Sequence, residues 1–224
     1  MLKTANLGFP RIGANRELKK AVESYWKKIS SAADLQKSAA QIREKNWRLQ
    51  KAAGIAFIPS NDFSFYDQTL DCLALFGAVP DRFKFSGGNV DLDLYFAMAR
   101  GNQSLAGIDV TAMEMTKWFD TNYHYIVGEF KAGQTFKLSS TKIFDEYLEA
   151  KRLGIETRPV LTGNFLSQPS MRRIGRNLPH PDEFPNANHI SRSSFLVGAH
   201  HDLNDSQVDF LCSSLIEVSK LVDR

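Results

Sequence analysis

The chain is predicted to be an α/β protein with a parallel sheet, because short apolar segments alternate with stretches of helical periodicity. The clearest strand candidate is residues 55–58, four apolar residues followed by Pro59. Such a run is typical of a buried parallel strand. Residues 157–161 are predicted to form the last parallel strand. The 224 residues, 43% of them hydrophobic and 24% charged, are sufficient for one globular domain with its own core.

The composition narrows the functional classes. A net charge of +3 suits a small anionic ligand but is too weak to indicate a nucleic-acid partner. Cys72 and Cys212 are far apart and in no motif, which favours free thiols in a reducing compartment. No apolar run approaches the length of a membrane span, and the first residues leave no room for a signal peptide. We therefore expect a cytoplasmic protein that binds neither nucleic acid nor membranes.

Residues 7–20 are predicted to form a turn followed by a helix. Gly13 provides the turn, and Asn15 is the predicted helix N-cap. The apolar side chains that recur at helical spacing are Leu18, Val22, Tyr25 and Ile29.

The start of this helix carries three basic residues, Arg16, Lys19 and Lys20. Cations at a helix N-terminus oppose the macrodipole, which favours anions there. Together with amide N–H groups that have no partner within the helix, these cations predict an anion-binding site. The alternative is a solvated basic face without a ligand.

The second predicted helix begins with a capping box formed by Ser31 and Asp34, and Gly54 closes it. Trp47 is interpreted as a packing residue rather than a functional one. One face of this helix carries Leu35, Ala39, Ile42, Asn46, Leu49 and Ala53.

A polar loop at residues 60–64 follows the first strand candidate, and ligands bind at such carboxyl ends in parallel α/β folds. Asp62 in this loop is either a functional residue or the cap of the next helix. That helix is predicted at residues 66–76, with Leu70, Leu73 and Ala74 facing inward. A further short helix is predicted at residues 91–99, starting at Asp91.

Residues 114–125 are predicted to form a strand at 115–119, followed by a loop at 120–122. Lys117 adds a cation, and Asn122 adds an amide that can donate and accept hydrogen bonds. The alternatives are an exposed strand lysine and a simple turn residue. His124, between two tyrosines, is interpreted as a hydrogen-bonded core histidine.

Another strand is predicted at residues 136–139, and a helix at residues 141–154, where Gly154 is the cap. The side chains at helical spacing in this helix are Ile143, Phe144, Tyr147, Leu148 and Lys151.

Four blocks of the sequence, at residues 7–20, 62–67, 114–125 and 159–163, resemble the cobalamin-independent methionine synthase family in the same order. They include Arg-Glu-Leu-Lys at 16–19 and Glu-Met-Thr-Lys-Trp-Phe-Asp-Thr-Asn-Tyr-His-Tyr at 114–125. The resemblance covers residues 1–163 and corresponds to the opening part of a much larger protein. It implies a partial (β/α)8 TIM-type barrel, the N-terminal half of the first of two barrels.

The resemblance also implies a methyltransferase of methionine biosynthesis, which moves a methyl group from 5-methyltetrahydropteroyltriglutamate to homocysteine. It assigns no catalytic residue to this chain. The alternative is a non-catalytic fragment that only binds polyglutamyl folate or associates with a partner chain. A third hypothesis is a different barrel enzyme with a new tail. The resemblance assigns folate contacts to Arg16, Glu17, Leu18, Lys19, Lys117 and Asn122, the first four of them to the glutamate tail.

The family uses no cobalamin, and its zinc ligands and homocysteine site lie in a second barrel. No set of cysteines and histidines with zinc-ligand spacing occurs in this sequence. His200, His201 and Asp202 are weak metal candidates, since the histidines are adjacent on an irregular segment. We therefore expect no metal site in this chain and no methyl transfer by the chain alone, with homocysteine a partner of the full-length enzyme only.

Residues 164–224 do not match the family, and the loss of pattern after Gly163 suggests a truncated, frame-shifted or alternatively transcribed product. Residues 168–194 are rich in Pro, Arg, Asn, His and Ser and are predicted to be disordered or irregular. A short helix is predicted near residues 207–222. The prolines expected to block regular helix are Pro169, Pro179, Pro181 and Pro185.

Overall fold

A computed structural model describes residues 4–101, 110–157, 180–193, 204–210 and 213–214. These residues belong to two compact units. One contains residues 5–157, and the other contains Thr4 together with the described residues from 180 onward. The candidate site lies in the first unit.

The first unit is a mixture of helices and short strands, which confirms the α/β class. The helices are α1 (Glu17–Trp26), α2 (Ala32–Ala52), α3 (Gln68–Leu75), α4 (Leu92–Arg100) and α5 (Lys142–Arg152), with a 3-10 turn at Asp81–Phe83. The strands are β1 (Met115–Lys117) and β2 (His124–Ile126). No helix among the described residues is both long enough and apolar enough to cross a bilayer.

The predicted parallel sheet is present only as isolated bridges within the described residues. Ala5 pairs with Phe57, and Ile58 pairs with Thr157, both in parallel orientation. The strand predicted at 55–58 therefore lies between two other chain segments, as expected. The strand predicted at 157–161 falls outside the described residues after Thr157.

Two other strand predictions need correction. β1 and β2 form an antiparallel hairpin rather than part of a parallel sheet. Residues 136–139 form no strand, because their amides bond to the end of a helix instead. Lys137 N donates to Phe76 O at 3.1 Å, and Ser139 N donates to Leu75 O at 2.8 Å.

The local helix signals are confirmed in α2. Asp34 N donates to Ser31 Oγ at 3.2 Å, and Ser31 N donates to Asp34 Oδ2 at 2.9 Å, which completes the capping box. Gly54 follows the helix with φ +82°, a conformation that glycine adopts without strain. Trp47 is buried and its Nε1 donates to Pro59 O at 3.0 Å, so it is a packing residue.

α4 begins where the sequence indicates, whereas α3 begins at Gln68, two residues after its predicted start. Asp67 caps α3 and Asp91 caps α4. Asp62 is therefore not the cap of α3. The residues predicted to face inward from α3 are buried in the main core: Leu70, Leu73 and Ala74.

α5 buries a different face from its apolar one. Phe144, Tyr147 and Leu148 are 51%, 43% and 44% exposed, whereas Glu146 and Ala150 are buried. On the face that packs, Glu146 lies 3.5 Å from Arg43 of α2 and 3.3 Å from Lys142, so its carboxylate is buried next to two cations. Apolar periodicity therefore marks a stripe on α5 but not the stripe that packs.

The second unit contains a 3-10 turn at Pro181–Glu183 and the helix α6 (Pro185–Ser193). The prediction of irregular structure is wrong for these residues, because each proline stands at the first helical position, where its missing N–H costs no hydrogen bond. The rest of 168–194, like His200, His201 and Asp202, lies outside the described residues. Residues 205–210 and 213–214 are helical, within the region predicted to hold a short helix. The domain division at residue 163 stays a prediction.

Candidate anion-binding site

The start of α1 differs from the prediction in its cap. Arg16, not Asn15, is the N-cap, with φ 59° and ψ 38°, the left-handed region. Both N–H groups of Asn15 turn to Glu17: Asn15 N donates to Glu17 Oε2 at 2.9 Å, and Asn15 Nδ2 donates to Glu17 Oε1 at 3.5 Å. Leu18, an apolar residue in the first turn of α1, is buried and anchors the helix. Ile29 lies beyond the end of α1 and is exposed, contrary to the predicted face.

The Glu17 carboxylate occupies the anion position at the start of α1. Hydrogen bonds from the backbone N–H groups of Glu17 and Asn15 lower its pKa. A Cβ at Gly13, where φ is +80°, would clash with this carboxylate, so the turn requires glycine. Leu18 N donates to Ile12 O at 3.1 Å. The loop itself therefore uses the amides of Glu17 and Leu18, so these two are not free for a ligand.

The three cations at the start of α1, Arg16, Lys19 and Lys20, are all exposed. Lys19 is exposed and lies 3.7 Å from Glu23, one turn further along α1. Arg16 is exposed, and within the described residues it makes no ion pair. Any anion site here therefore depends on side-chain cations, with Glu17 and Leu18 holding the backbone in place.

Lys117 and Asn122 lie on the β1–β2 hairpin, and both are exposed. Lys117 is directly opposite His124 in the strand pair. Asn122 is in the connecting loop, and its carbonyl oxygen is 3.0 Å from His124 Nδ1. His124 is exposed, so the interpretation as a core histidine is wrong. The strand is too short and too solvent-facing to bury it.

Asp67 fixes the hairpin to α3. Its buried carboxylate accepts bonds from Thr69 N at 3.1 Å and Leu70 N at 2.9 Å, the free amides of the helix start. It also accepts from Ile126 N at 3.1 Å and from the Tyr123 hydroxyl at 3.2 Å. The Asp67 carboxylate thus accepts hydrogen bonds from two amides at the start of α3 and from two donors of the hairpin.

The loop before α1 and the hairpin meet the same short segment, residues 66–67. Arg11 Nη2 donates to Tyr66 O at 2.5 Å, while Tyr123 bonds to Asp67. Burial and the Asp67 charge raise the pKa of Tyr123, and the Arg11 charge opposes them. Within the described residues, no hydrogen bond or ion pair joins Lys117 or Asn122 to residues 16–19.

Sequence reasoning missed Arg11, a cation whose charge acts on Tyr123 of the hairpin. It lies inside the block at residues 7–20, so the family resemblance could have indicated it. The same loop is anchored by Asp62, whose Oδ2 accepts from Phe9 N at 2.8 Å. Burial raises the pKa of Asp62 despite this bond. Asp62 therefore holds the N-terminal loop in place, a role not considered from the sequence.

A second charged group lies inside the first unit, between α2, α3 and α5. Lys142 Nζ is 3.3 Å from both Asp71 Oδ2 and Glu146 Oε1. Burial raises the pKa of Glu146 to about 7, although Lys142 and Arg43 oppose the shift. Burial also raises the pKa of Asp71, which accepts from the Tyr95 hydroxyl at 2.6 Å. Because its cations are already paired, this group holds helices together rather than binding an anion.

The described part of the chain contains no group of three His, Cys, Asp or Glu side chains placed to hold a metal ion. The residues present there do not fit the zinc of the resembled enzymes. The expectation that this chain has no metal site stays a prediction, because the histidines at 200 and 201 are not described.

Comparisons with known proteins agree with the sequence blocks. Residues 3–168 match the sequence model of the family described as "Cobalamin-independent synthase, N-terminal domain". The chain is 59% identical over 167 residues to the 5-methyltetrahydropteroyltriglutamate--homocysteine methyltransferase of Salinibacter ruber, covering 73% of this chain and 22% of that protein. It is 60% identical over 163 residues to the protein of the same name from Flavobacterium johnsoniae, covering 72% of this chain and 21% of that protein.

The similarity extends to plants: a methyltransferase of the same name from Catharanthus roseus is 56% identical over 157 residues, covering 70% of this chain and 20% of that protein. The chain thus spans about a fifth of the length of the curated relatives it matches. The family model matches most of the chain, and this match is sufficient to assign the family. This chain belongs to the cobalamin-independent synthase family, through that family's N-terminal domain.

Proposed function

We propose that this chain supplies cationic contacts to the polyglutamate tail of a methylated folate. The names of its relatives specify 5-methyltetrahydropteroyltriglutamate, a ligand whose three glutamates carry several carboxylates. Exposed arginine and lysine side chains bind carboxylates through charge-assisted hydrogen bonds. The proposed contacts are those that the resemblance implies: Arg16, Glu17, Leu18, Lys19, Lys117 and Asn122.

The conformation of Arg16 is the observation that carries this proposal. The N-cap residues Ser31, Asp67 and Asp91 are extended and cap their helices with side chains, as is usual. Arg16 is left-handed and makes no side-chain cap bond. For a non-glycine residue that conformation costs about 1 kcal/mol. Lys28 has the same conformation after the end of α1, so it is the position of Arg16, exposed and without an ion pair at the helix start, that favours a ligand contact.

The remaining predicted contacts have two different roles. Lys19 and Lys117 are exposed cations, and Asn122 is an exposed amide, so all three can reach a ligand directly. Glu17 and Leu18 act through the backbone, by ordering the loop and anchoring α1.

We further propose that the segment is part of a (β/α)8 barrel in a cytoplasmic methyltransferase of methionine biosynthesis. The two parallel bridges, between segments separated by helices, support the barrel. Methyl transfer to homocysteine would need residues outside this chain, and so would the zinc that activates the thiol. No catalytic role is proposed for any residue here.

Replacing Arg16 by glycine should weaken binding of the triglutamate folate about tenfold, because one charge-assisted contact is lost. Glycine is the favoured residue at φ 59°, so the variant should fold at least as well as wild type. Lys19→Ala should have a smaller effect in the same direction. Calorimetric titration with the monoglutamate and triglutamate folates measures both, and monoglutamate affinity should stay unchanged.

Lys28→Gly is the matched control. Lys28 is also an exposed cation in the left-handed region, with φ 58°, but it follows the end of α1. Its replacement should leave triglutamate affinity unchanged. Equal losses in the two glycine variants would contradict the tail site, as would a wild-type chain that does not distinguish three glutamates from one.

We propose, as a second candidate, that the chain self-associates through α5. The exposed stripe of Phe144, Tyr147 and Leu148 favours this hypothesis, since burying it would stabilise a complex. Sedimentation velocity should show a concentration-dependent dimer that the double variant Phe144→Ser, Leu148→Ser abolishes. Ile29→Ser, which replaces an isolated exposed side chain, should have no effect. A wild-type monomer at all concentrations would remove this candidate.

A further inference from the structure

The register of the β1–β2 hairpin places His124 next to Lys117. The flanking bonds are Trp118 N to Tyr123 O at 2.7 Å and Val127 N to Glu114 O at 2.9 Å. Since hydrogen-bonded pairs alternate along an antiparallel ladder, Lys117 and His124 form a non-hydrogen-bonded pair. Directly opposite side chains come closest in that type of pair. The two basic side chains therefore lie side by side on one face.

This face is distinct from the aromatic face of the hairpin. Trp118 and Tyr125 are on the opposite side, where their ring centroids are 5.7 Å apart. Both Lys117 and His124 are exposed, so a ligand that reaches one can reach the other.

Of the two ring nitrogens of His124, Nδ1 has a hydrogen-bond partner and Nε2 has none among the described residues. Nδ1 lies 3.0 Å from the Asn122 carbonyl oxygen, which can only accept, so Nδ1 carries a hydrogen. Nε2 then carries no hydrogen, and within the described residues it has no hydrogen-bond partner. Protonation of the ring would give Nε2 a hydrogen to donate and add a positive charge beside Lys117.

Two carboxylates of α3 and its cap already have partners, whereas Asp120 of the hairpin loop forms no ion pair with either basic side chain among the described residues. Across the strand pair, Lys117 faces His124. On the α3 side, Asp67 is taken by Tyr123 and Ile126, and Asp71 by Tyr95 and Lys142. Asp120 in the hairpin loop is exposed and makes no ion pair among the described residues. An incoming anion is therefore the partner that Lys117 and protonated His124 would share.

We infer that His124 and Lys117 form a paired cation site for a carboxylate of the polyglutamate tail, with His124 adding its contact only when protonated. This inference rests on the proposed tail site. It makes affinity pH-dependent in a defined direction, because glutamate carboxylates stay ionised well below the range in which histidine titrates. Binding strengthens as the pH falls from 8 to 5.5.

The test is calorimetric titration of the full 224-residue chain with triglutamate folate at pH 8 and pH 5.5. Wild type should bind about fivefold more tightly at the lower pH, the effect of one exposed ionic contact. His124→Gln should remove that difference. His180→Gln, which replaces an exposed histidine of the other unit, should keep it.

A second measurement counts the protons taken up on binding and does not rely on the affinity. Titrations of wild type at pH 6.5 in buffers of different ionisation enthalpy should show proton uptake on binding, and His124→Gln should show less. If Lys117→Ala weakens binding but His124→Gln keeps the full pH dependence and proton uptake, the inference is wrong while the tail site stands. If wild type binds triglutamate at neither pH, both are wrong.

Discussion

Replacing Asp67 by alanine is expected to lower the free energy of unfolding by about 3 kcal/mol, from the loss of a helix cap and of two further hydrogen bonds. The carboxylate is buried and accepts from two α3 amides, from Ile126 N and from the Tyr123 hydroxyl. The alanine would leave the buried Ile126 N–H without a partner. Urea denaturation measures the loss, and hydrogen exchange at the Ile126 amide reports the release of the hairpin.

Asp91→Ala is the control for the cap alone. Asp91 caps α4 through one bond, in which Leu94 N donates to Asp91 Oδ1 at 2.8 Å, and that site is exposed. Its replacement should cost about 1 kcal/mol. Equal losses for the two variants would show that Asp67 is only a helix cap and that the hairpin does not depend on it.

Replacing Glu146 by glutamine is expected to stabilise the protein at pH 8 relative to wild type. Burial raises the pKa of Glu146 from 4.5 to about 7 in the folded protein. The folded state therefore binds the proton more tightly than the unfolded state does. Its contribution to stability is fully present below pH 4.5 and is lost as the pH rises toward 7.

Glutamine removes this loss because it cannot ionise. Between pH 4.5 and 8, the stability of Glu146→Gln should therefore rise relative to wild type by up to about 3 kcal/mol. Thermal or urea unfolding at several pH values measures the difference. Asp145→Asn changes the same charge at an exposed neighbouring position of α5 and serves as the control. A similar rise in that variant, or none in Glu146→Gln, would show that Glu146 is not held near neutrality.

The Asp67 and Glu146 variants also concern the proposed tail site, because these two carboxylates hold the elements around it in place. Asp67 carries the hairpin with Lys117 and His124. Glu146 and its partners join α5 to α2 and α3. Neither residue faces the proposed ligand, so their variants should change stability and, for Asp67, the position of the hairpin.

The sequence alone determined the features that depend on near neighbours. The capping box of Ser31 and Asp34, the cap at Asp91 and the left-handed Gly54 all follow from bonds or conformations within a few residues. The family followed equally directly, since the blocks at 7–20 and 114–125 lie within the matched region.

The start of α1 shows where local rules fail. Asn15 is the better N-cap by type, yet Arg16 takes that position, while the backbone and side-chain N–H groups of Asn15 donate to the Glu17 carboxylate. Glu17 is visible in the sequence, but its carboxylate can reach Asn15 only in the turn that Gly13 allows. Choosing between them required the backbone.

Only the tertiary structure decided the features that join distant parts of the chain. Asp67 meets Ile126 across 59 residues, and Arg43 meets Glu149 across 106. Periodicity identified the apolar stripe of α5, but the face that packs carries Glu146, which lies next to Lys142 and Arg43. Side-chain type fixes what a residue can bind, whereas burial and partner charges decide what it does bind. That is why Lys117 could be named from the sequence, and its neighbour His124 only from the strand register.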